Sequence, residues 1–237
     1  MTFLTSDLHG KFVSLLTLLE KARFFEDENN QLYILGDVID RNNNGGIDIL
    51  KWIIDTPNVE LLLGNHEKML IDSRWIFDDF SNITLHSGMI KNLDRWKHNG
   101  ADCTIKALKQ ETLESRRRIL NYLDVCSLYK TIQVKDKKYV LIHGGLGNYS
   151  PNKNLADYSD DELLWERPYL TTVYNPDEFT VILGHTPTSL YDKNYKNQML
   201  KTDSWWDIDT GAANKDGQPM LLCLDTLSEY YLDESVV

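Results

Sequence analysis

Residues 2–22, TFLTSDLHGKFVSLLTLLEKA, decide the fold. Thr2 to Asp7 is a short β-rich run, and after Gly10 the apolar residues Phe12, Leu15, Leu16, Leu19 and Ala22 recur at helical spacing. The spacing predicts strand, loop, helix. The same unit recurs with Gln31–Asp37 as strand and Ile47–Ile54 as helix, then with Val59–Asn65 as strand and a helix from about Glu67 to Phe77. Three βα units in succession predict an α/β layered domain with helices covering a sheet.

Residues 81 to about 126 break the alternation. Met89, Leu93 and Trp96 share one helical face, and Ile105, Leu108, Ile119, Leu120 and Leu123 mark a second helical stretch, so a helical insertion is expected here. Beyond it, Ser127–Val134 and Lys137–His143 read as a hairpin. Thr180–His185, Trp205–Asp209 and Pro219–Asp225 are expected to complete a second set of strands. With no repeat, low-complexity tract or linker, residues 1–237 are expected to form a single domain.

Composition narrows the function. A 237-residue chain with 42% hydrophobic and 11% aromatic residues can bury a core, which excludes disorder as the main state. A net charge of -11 repels a phosphate backbone, so no nucleic-acid partner is expected. No run approaches the roughly 18 uninterrupted apolar residues of a membrane span, and none is expected. The first residues lack the basic patch and apolar run of a secretion signal, which points to the cytoplasm. Cys103, Cys126 and Cys223 are odd in number and without CxxC spacing, so they are expected to be reduced core residues rather than disulfides or zinc ligands.

Chemistry collects where the strands end. Asp7 and His9 follow the first strand, Asp37 the second, Asn65 and His66 the third, and His143 and His185 two later ones. Ligands in α/β sheets gather at such ends. Oxygen and imidazole donors without thiolate suit Mn²⁺, Fe or Zn²⁺, and a carboxylate such as Asp37 can bridge two ions. Six ligands suggest two divalent metals, a device for acidifying water and for in-line displacement at phosphorus. A phosphate ester is the expected substrate.

Asp7-Leu8-His9-Gly10, Gly36-Asp37-Val38-Ile39-Asp40-Arg41, Gly64-Asn65-His66-Glu67, His143-Gly144-Gly145 and Gly184-His185-Thr186 stand in that order. One specified tetrapeptide arises by chance in a chain this long roughly once in a thousand, so five ordered motifs are specific. The series resembles the calcineurin-like metallophosphoesterases, and within them the phosphoprotein phosphatase branch of bacterial and phage serine/threonine phosphatases and symmetrical diadenosine tetraphosphatases. Asp209-Thr210-Gly211 extends the likeness. The resemblance implies a four-layer α/β fold of two mixed sheets packed as a sandwich, with helices outside and the insertion appended.

It also implies roles. Asp7 and His9 would hold one metal, Asp37 would bridge, and Asn65, His143 and His185 would hold the other. His66, oriented by Asp40, would protonate the leaving oxygen. Arg41 would bind phosphoryl oxygens, joined by Asn65 and by Arg167 of the segment Leu163-Leu164-Trp165-Glu166-Arg167. Manganese is the expected metal, with iron or zinc as alternatives. The implied substrate is a phosphorylated protein, attacked by a metal-bridging hydroxide, with diadenosine tetraphosphate or another phosphorylated nucleotide or small molecule as the alternative. A non-catalytic phosphate-binding scaffold is a third reading, opposed by the presence of every ligand and of His66.

Two positions depart from the family. Asn42 stands where glycine usually follows the arginine, so the loop aiming Arg41 is expected to differ, and Ser6 replaces a glycine. Other features read as structural. His86 and His98 match no motif, Arg116-Arg117-Arg118 points three ways around a helix, and Trp205-Trp206 is expected to pack rather than stack a base. No Cys-x5-Arg loop is present, and Asp207-Ile208-Asp209-Thr210-Gly211 lacks the last position of a haloacid dehalogenase nucleophile motif.

Overall fold

In the computed structural model, residues 1–237 are described apart from 43, 79–85, 176, 215 and 234–237. β1 (Thr2–Thr5), β2 (Gln31–Leu35) and β3 (Val59–Leu62) run parallel at one half of a five-stranded sheet, connected by α1 (Phe12–Lys21) and α2 (Ile47–Asp55). α3 (Asn65–Ser73) leaves β3 directly and continues as a 3₁₀ turn, Arg74–Phe77. The second sheet is β4 (Tyr129–Val134), β5 (Lys137–Ile142), β6 (Thr180–Leu183), β8 (Trp205–Asp207) and β7 (Leu200–Lys201) in spatial order, and its outer face carries the short helix α7 (Asp160–Leu164). Both sheets are mixed.

Two-residue periodicity sets the layers. Leu4, Leu35 and Leu62 face Leu141 and Ile182 across the gap between the sheets. Phe3, Leu32, Ile34 and Leu61 turn outward under the helices, and Val140, Ile142, Val181 and Leu183 turn to the other outside face. The sandwich is therefore helix, sheet, sheet, and a thin outer layer of α7 and 3₁₀ turns.

Pro219–Asp225 does not join the second sheet. Its strand, β9 (Leu221–Cys223), pairs antiparallel with β1 and carries β10 (Ser228–Tyr230) outside it, because Leu222 completes the apolar face that Leu4 begins. The insertion holds three helices where two stretches are expected: α4 (Ser87–His98), α5 (Asp102–Gln110) and α6 (Leu113–Leu123). Thr112 divides the second stretch by accepting the Ser115 N–H as an N-cap. Positions 81–85 of the expected insertion lie outside the described residues. Trp205 is buried in the sheet packing, as expected of the Trp pair. Cys223 is buried, but Cys103, in the first turn of α5, and Cys126, just past the end of α6, are only half-buried. Among the described residues no helix is long and apolar enough to cross a membrane.

Candidate metal centre and phosphoryl pocket

The strand exits turn sharply. Asp7, His9, Asp37, Asp40, Arg41 and His185 all have positive φ, six of the eleven non-glycine residues so placed among the described residues. Left-handed backbone costs an L-residue about 1–2 kcal/mol, so this clustering means the surroundings hold the turns in place. Glu67 supplies much of that hold. Its buried carboxylate accepts N–H bonds from Asp37 (2.8 Å), Val38 (2.9 Å) and Ile39 (3.3 Å), and from Gly64 (2.9 Å) at the start of α3. One side chain thus ties the β2 exit to the first turn of α3. Gly64 must be glycine there, because a Cβ would run into the Asp37 carboxylate, and at Gly184 a Cβ would strike Asp7 and Ser6.

These exits meet around Asp37. His9 Nε2 and His66 Nε2 each lie 3.7 Å from its Oδ2, and His143 Nε2 lies 3.4 Å from its Oδ1. Two groupings result, His9 with Asp37 and His66, and Asp37 with His143 and His185, each with ligand atoms within 4.8 Å of one another. Asp37 belongs to both. Asn65 Oδ1 sits 2.8 Å from His143 Nε2. Asp7 lines the same cavity but stands outside the two groupings, its Oδ2 accepting the His185 N–H at 2.9 Å and the Ser6 hydroxyl. The serine that replaces the family's glycine at position 6 thus bonds the Asp7 carboxylate.

The protonation pattern suits cations. His9 Nδ1 lies 2.8 Å from the Ile39 carbonyl and His143 Nδ1 2.7 Å from the Leu35 carbonyl. A carbonyl only accepts, so each neutral ring carries its proton on Nδ1 and turns an Nε2 lone pair inward. At His143 that lone pair faces the Asn65 oxygen, two acceptors aimed at one point. His185 Nε2 is buried with no hydrogen-bond partner among the described residues. Burial, then neighbouring charges, holds His9, His66 and His185 well below the ordinary imidazole range, which favours neutral rings. Burial, then Asp7 and Glu67, pushes Asp37 well above the carboxylate range. A cation would relieve that repulsion, so the donor set fits a metal pair.

Beside this centre His66 Nδ1 donates to Asp40 Oδ2 at 2.6 Å, while its Nε2 lies 3.2 Å from Arg41 Nη2. Arg167 Nη1 donates to Thr186 Oγ1 (2.8 Å) and the His185 carbonyl (3.3 Å), which brings a second guanidinium to the rim. The cavity so enclosed measures about 40 Å³ and is lined by Asp7, His9, Asp37, Arg41, Asn65, His66, Arg167 and His185 together with Asn99, Trp165 and Asp209. All ten residues singled out from the sequence thus gather here, Asp40 and His143 just behind the wall.

The loop after Arg41 accommodates Asn42 because the left-handed turn falls on Asp40 and Arg41, at φ 71° and 68°, and not on the residue after them. Sequence reading missed three contributors. Asp209 is buried in the wall, its carboxyl pushed well up by burial and then by Asp7. The tripeptide that contains it was the available signal. Trp96 Nε1 donates to Asp40 Oδ2 at 2.8 Å and Thr104 Oγ1 to Asp40 Oδ1 at 2.5 Å, contacts that no local pattern announces.

Residues 2–214 match the calcineurin-like phosphoesterase family, and the chain belongs to it. The family is one of phosphoesterases, and the His and Asp groups described above could hold a metal. Its relatives include the symmetrical bis(5'-nucleosyl)-tetraphosphatase of Salmonella paratyphi A, 35% identical over 71 residues, which is 30% of this chain and 24% of the relative. That of Serratia proteamaculans (strain 568) matches to the same extent, so the chain matches about a quarter of the length of these curated relatives. A crystal structure described as a candidate diadenosine tetraphosphatase superposes with a TM-score of 0.63 at 14% identity, over 97% of this chain and 91% of that one. A hypothetical protein from Pyrococcus horikoshii OT3 gives 0.50 at 14% identity, over 100% and 90%. At such identities the likeness is one of fold.

Proposed function

We propose that this chain hydrolyses phosphate monoesters, with phosphoserine or phosphothreonine in proteins as the substrate class. The observation that carries the hydrolytic reading is the Asp37 carboxylate shared by two imidazole groupings, one of which includes an unpartnered His185 Nε2. Asp7, His9 and Asp37 would hold one divalent ion and Asp37, Asn65, His143 and His185 the other, manganese before iron or zinc. Bound there, such a pair supplies an acidified water and neutralises phosphoryl oxygens.

The protein's own groups do the rest. Arg41 and Arg167, which line the same cavity, would grip the equatorial oxygens, a task suited to planar, permanently charged guanidinium. The cavity they line is small, about 40 Å³, and contains the candidate metal ligands as well. His66 Nε2 is the donor to the departing oxygen, with Asp40 fixing its ring through Nδ1. Arg41 is the second cause, after burial, of the low proton affinity of His66, so a phosphoryl dianion that engages Arg41 raises that affinity when the proton is needed.

The cleft beside the pocket favours a single phosphoryl on a peptide. It mixes Lys68 and Arg95 with Asp72, Asp160 and Asp161, carboxylates that would repel a row of phosphates. The second reading, cleavage of a dinucleoside tetraphosphate, is favoured by the names of the matching relatives. Comparing kcat/KM on a phosphoseryl peptide and on diadenosine tetraphosphate in Mn²⁺ decides between them. Faster turnover of the dinucleotide would reverse the order, and no turnover of either, with p-nitrophenyl phosphate also inert, would end the hydrolase reading.

A further inference from the structure

We infer that the helical insertion belongs to the proton-delivery apparatus: Trp96 and Thr104 are positioning residues that lock the Asp40 carboxylate and, through it, the His66 ring. The inference rests on the reading of His66 as the acid. Asp40 is fully buried and so needs a donor for each oxygen. Oδ2 accepts both His66 Nδ1 at 2.6 Å and Trp96 Nε1 at 2.8 Å, and Oδ1 accepts Thr104 Oγ1 at 2.5 Å. Thr104 Oγ1 in turn accepts the Asp40 N–H at 3.0 Å. Main chain from the same segment takes part, because Gly100 accepts the Arg41 N–H at 3.1 Å.

Three points of the insertion, the last turn of α4, the bend at Gly100 and the first turn of α5, therefore grip two successive left-handed residues. Without that grip Asp40 and Arg41 would relax toward ordinary backbone, since such conformations persist only when over-determined. Trp96 is also fully buried, and its N–H has this carboxylate as partner. A side chain present only to fill space would need no N–H there. Trp96 and His66 donate to the same oxygen from different sides, which leaves the carboxylate one rotamer and the imidazole one plane. The insertion thus decides where His66 Nε2 points.

The test exploits the leaving group. Phenyl phosphate expels a phenolate that needs a proton, whereas 2,4-dinitrophenyl phosphate expels one that does not. With the manganese-loaded full chain, Trp96→Phe and Thr104→Val should each lower kcat about 10-fold on phenyl phosphate and less than about 2-fold on the dinitrophenyl ester, with KM unchanged. Thr104→Ser, which keeps the hydroxyl, should restore the phenyl phosphate rate. Leu108→Ala, which removes a buried apolar side chain of the insertion that makes no hydrogen bond to Asp40, should lower the melting temperature while leaving the ratio of the two rates at the wild-type value. Equal losses on both esters, failure of serine to rescue, or a changed ratio in Leu108→Ala would overturn the inference. His66→Ala separates the two levels. If it shows the split and the insertion variants do not, only the positioning role falls, and if it shows none, the reading of His66 falls first.

Discussion

The same strands are asked for opposite things along their length. Within the strands Leu4, Leu35, Leu62 and Ile182 close the gap between the sheets, fully buried and apolar. A few residues on, their ends deliver Asp7, Asp37, Asn65 and His185, equally buried but polar, and three of these four have left-handed backbone. The strand buries area that water rejects and needs no further partner. The end buries carboxylates against one another and imidazoles stripped of charge, and it is held by Glu67 and by the insertion. Stability is made at one place and expended at the other, so the two regions should answer mutation with opposite signs.

The widest separation is expected at Asp37. Asp37→Asn keeps an acceptor for the His66 N–H, which Oδ1 now receives at 3.0 Å, but removes the shared charge, and the rate should fall by about a thousandfold or more. Metal-free protein should not lose stability in exchange. The folded-state pKa of Asp37 is raised, so its charged form costs stability at every pH above the ordinary carboxylate value, and the amide removes that cost. The melting temperature of metal-free Asp37→Asn at pH 7 should equal or exceed that of the wild type. A clear drop would mean that the strand ends are not where stability is expended.

Ile182→Ala makes the converse change on β6. Loss of a fully buried side chain between the sheets should cost about 2–5 kcal/mol in denaturant unfolding, while the folded fraction keeps its kcat. Here the comparison also shows what a sequence exposes. The strands and the polar residues at their ends were legible together, because β alternation and the Asp, Asn and His residues that interrupt it are local patterns. Trp96 and Thr104 were not, since their bonds to Asp40 span 56 and 64 residues and arise from how α4 and α5 dock. The same distance concealed β9, whose antiparallel partner β1 lies at the other end of the chain. Glu67 stood inside a recognised motif, yet its four N–H partners appear only when two strand exits are placed side by side.

Glu67→Gln probes that hinge between the regions. The amide replaces one of two accepting oxygens with a donor facing backbone N–H groups, leaving at least one buried donor unpaired at a cost of about 1–3 kcal/mol. Because the Asp37 turn loses its tether, kcat should fall as well, which separates this variant from Ile182→Ala. Hydrogen exchange at the amides of Asp37 and Val38 should accelerate, and unchanged protection there would place the restraint elsewhere.

The smallest effect is expected outside both regions, at the solvent-facing start of α7. Glu162 closes a capping box with Ser159 and accepts from Lys153 at 2.7 Å and Asn148 at 3.0 Å, with Lys153 the largest influence in holding its carboxyl down at about 2. A depressed acid contributes stability that is complete above its ordinary value of 4.5 and is lost as pH falls toward about 2, because the unfolded chain takes up the proton first. Solvent screens these partners, so the contribution is small. Glu162→Gln should therefore melt slightly below the wild type at pH 6–7, and the gap should narrow steadily as the pH is taken from 5 toward 3. A gap that widened on acidification would show that this cap is governed by neighbouring charge and not by the carboxylate itself.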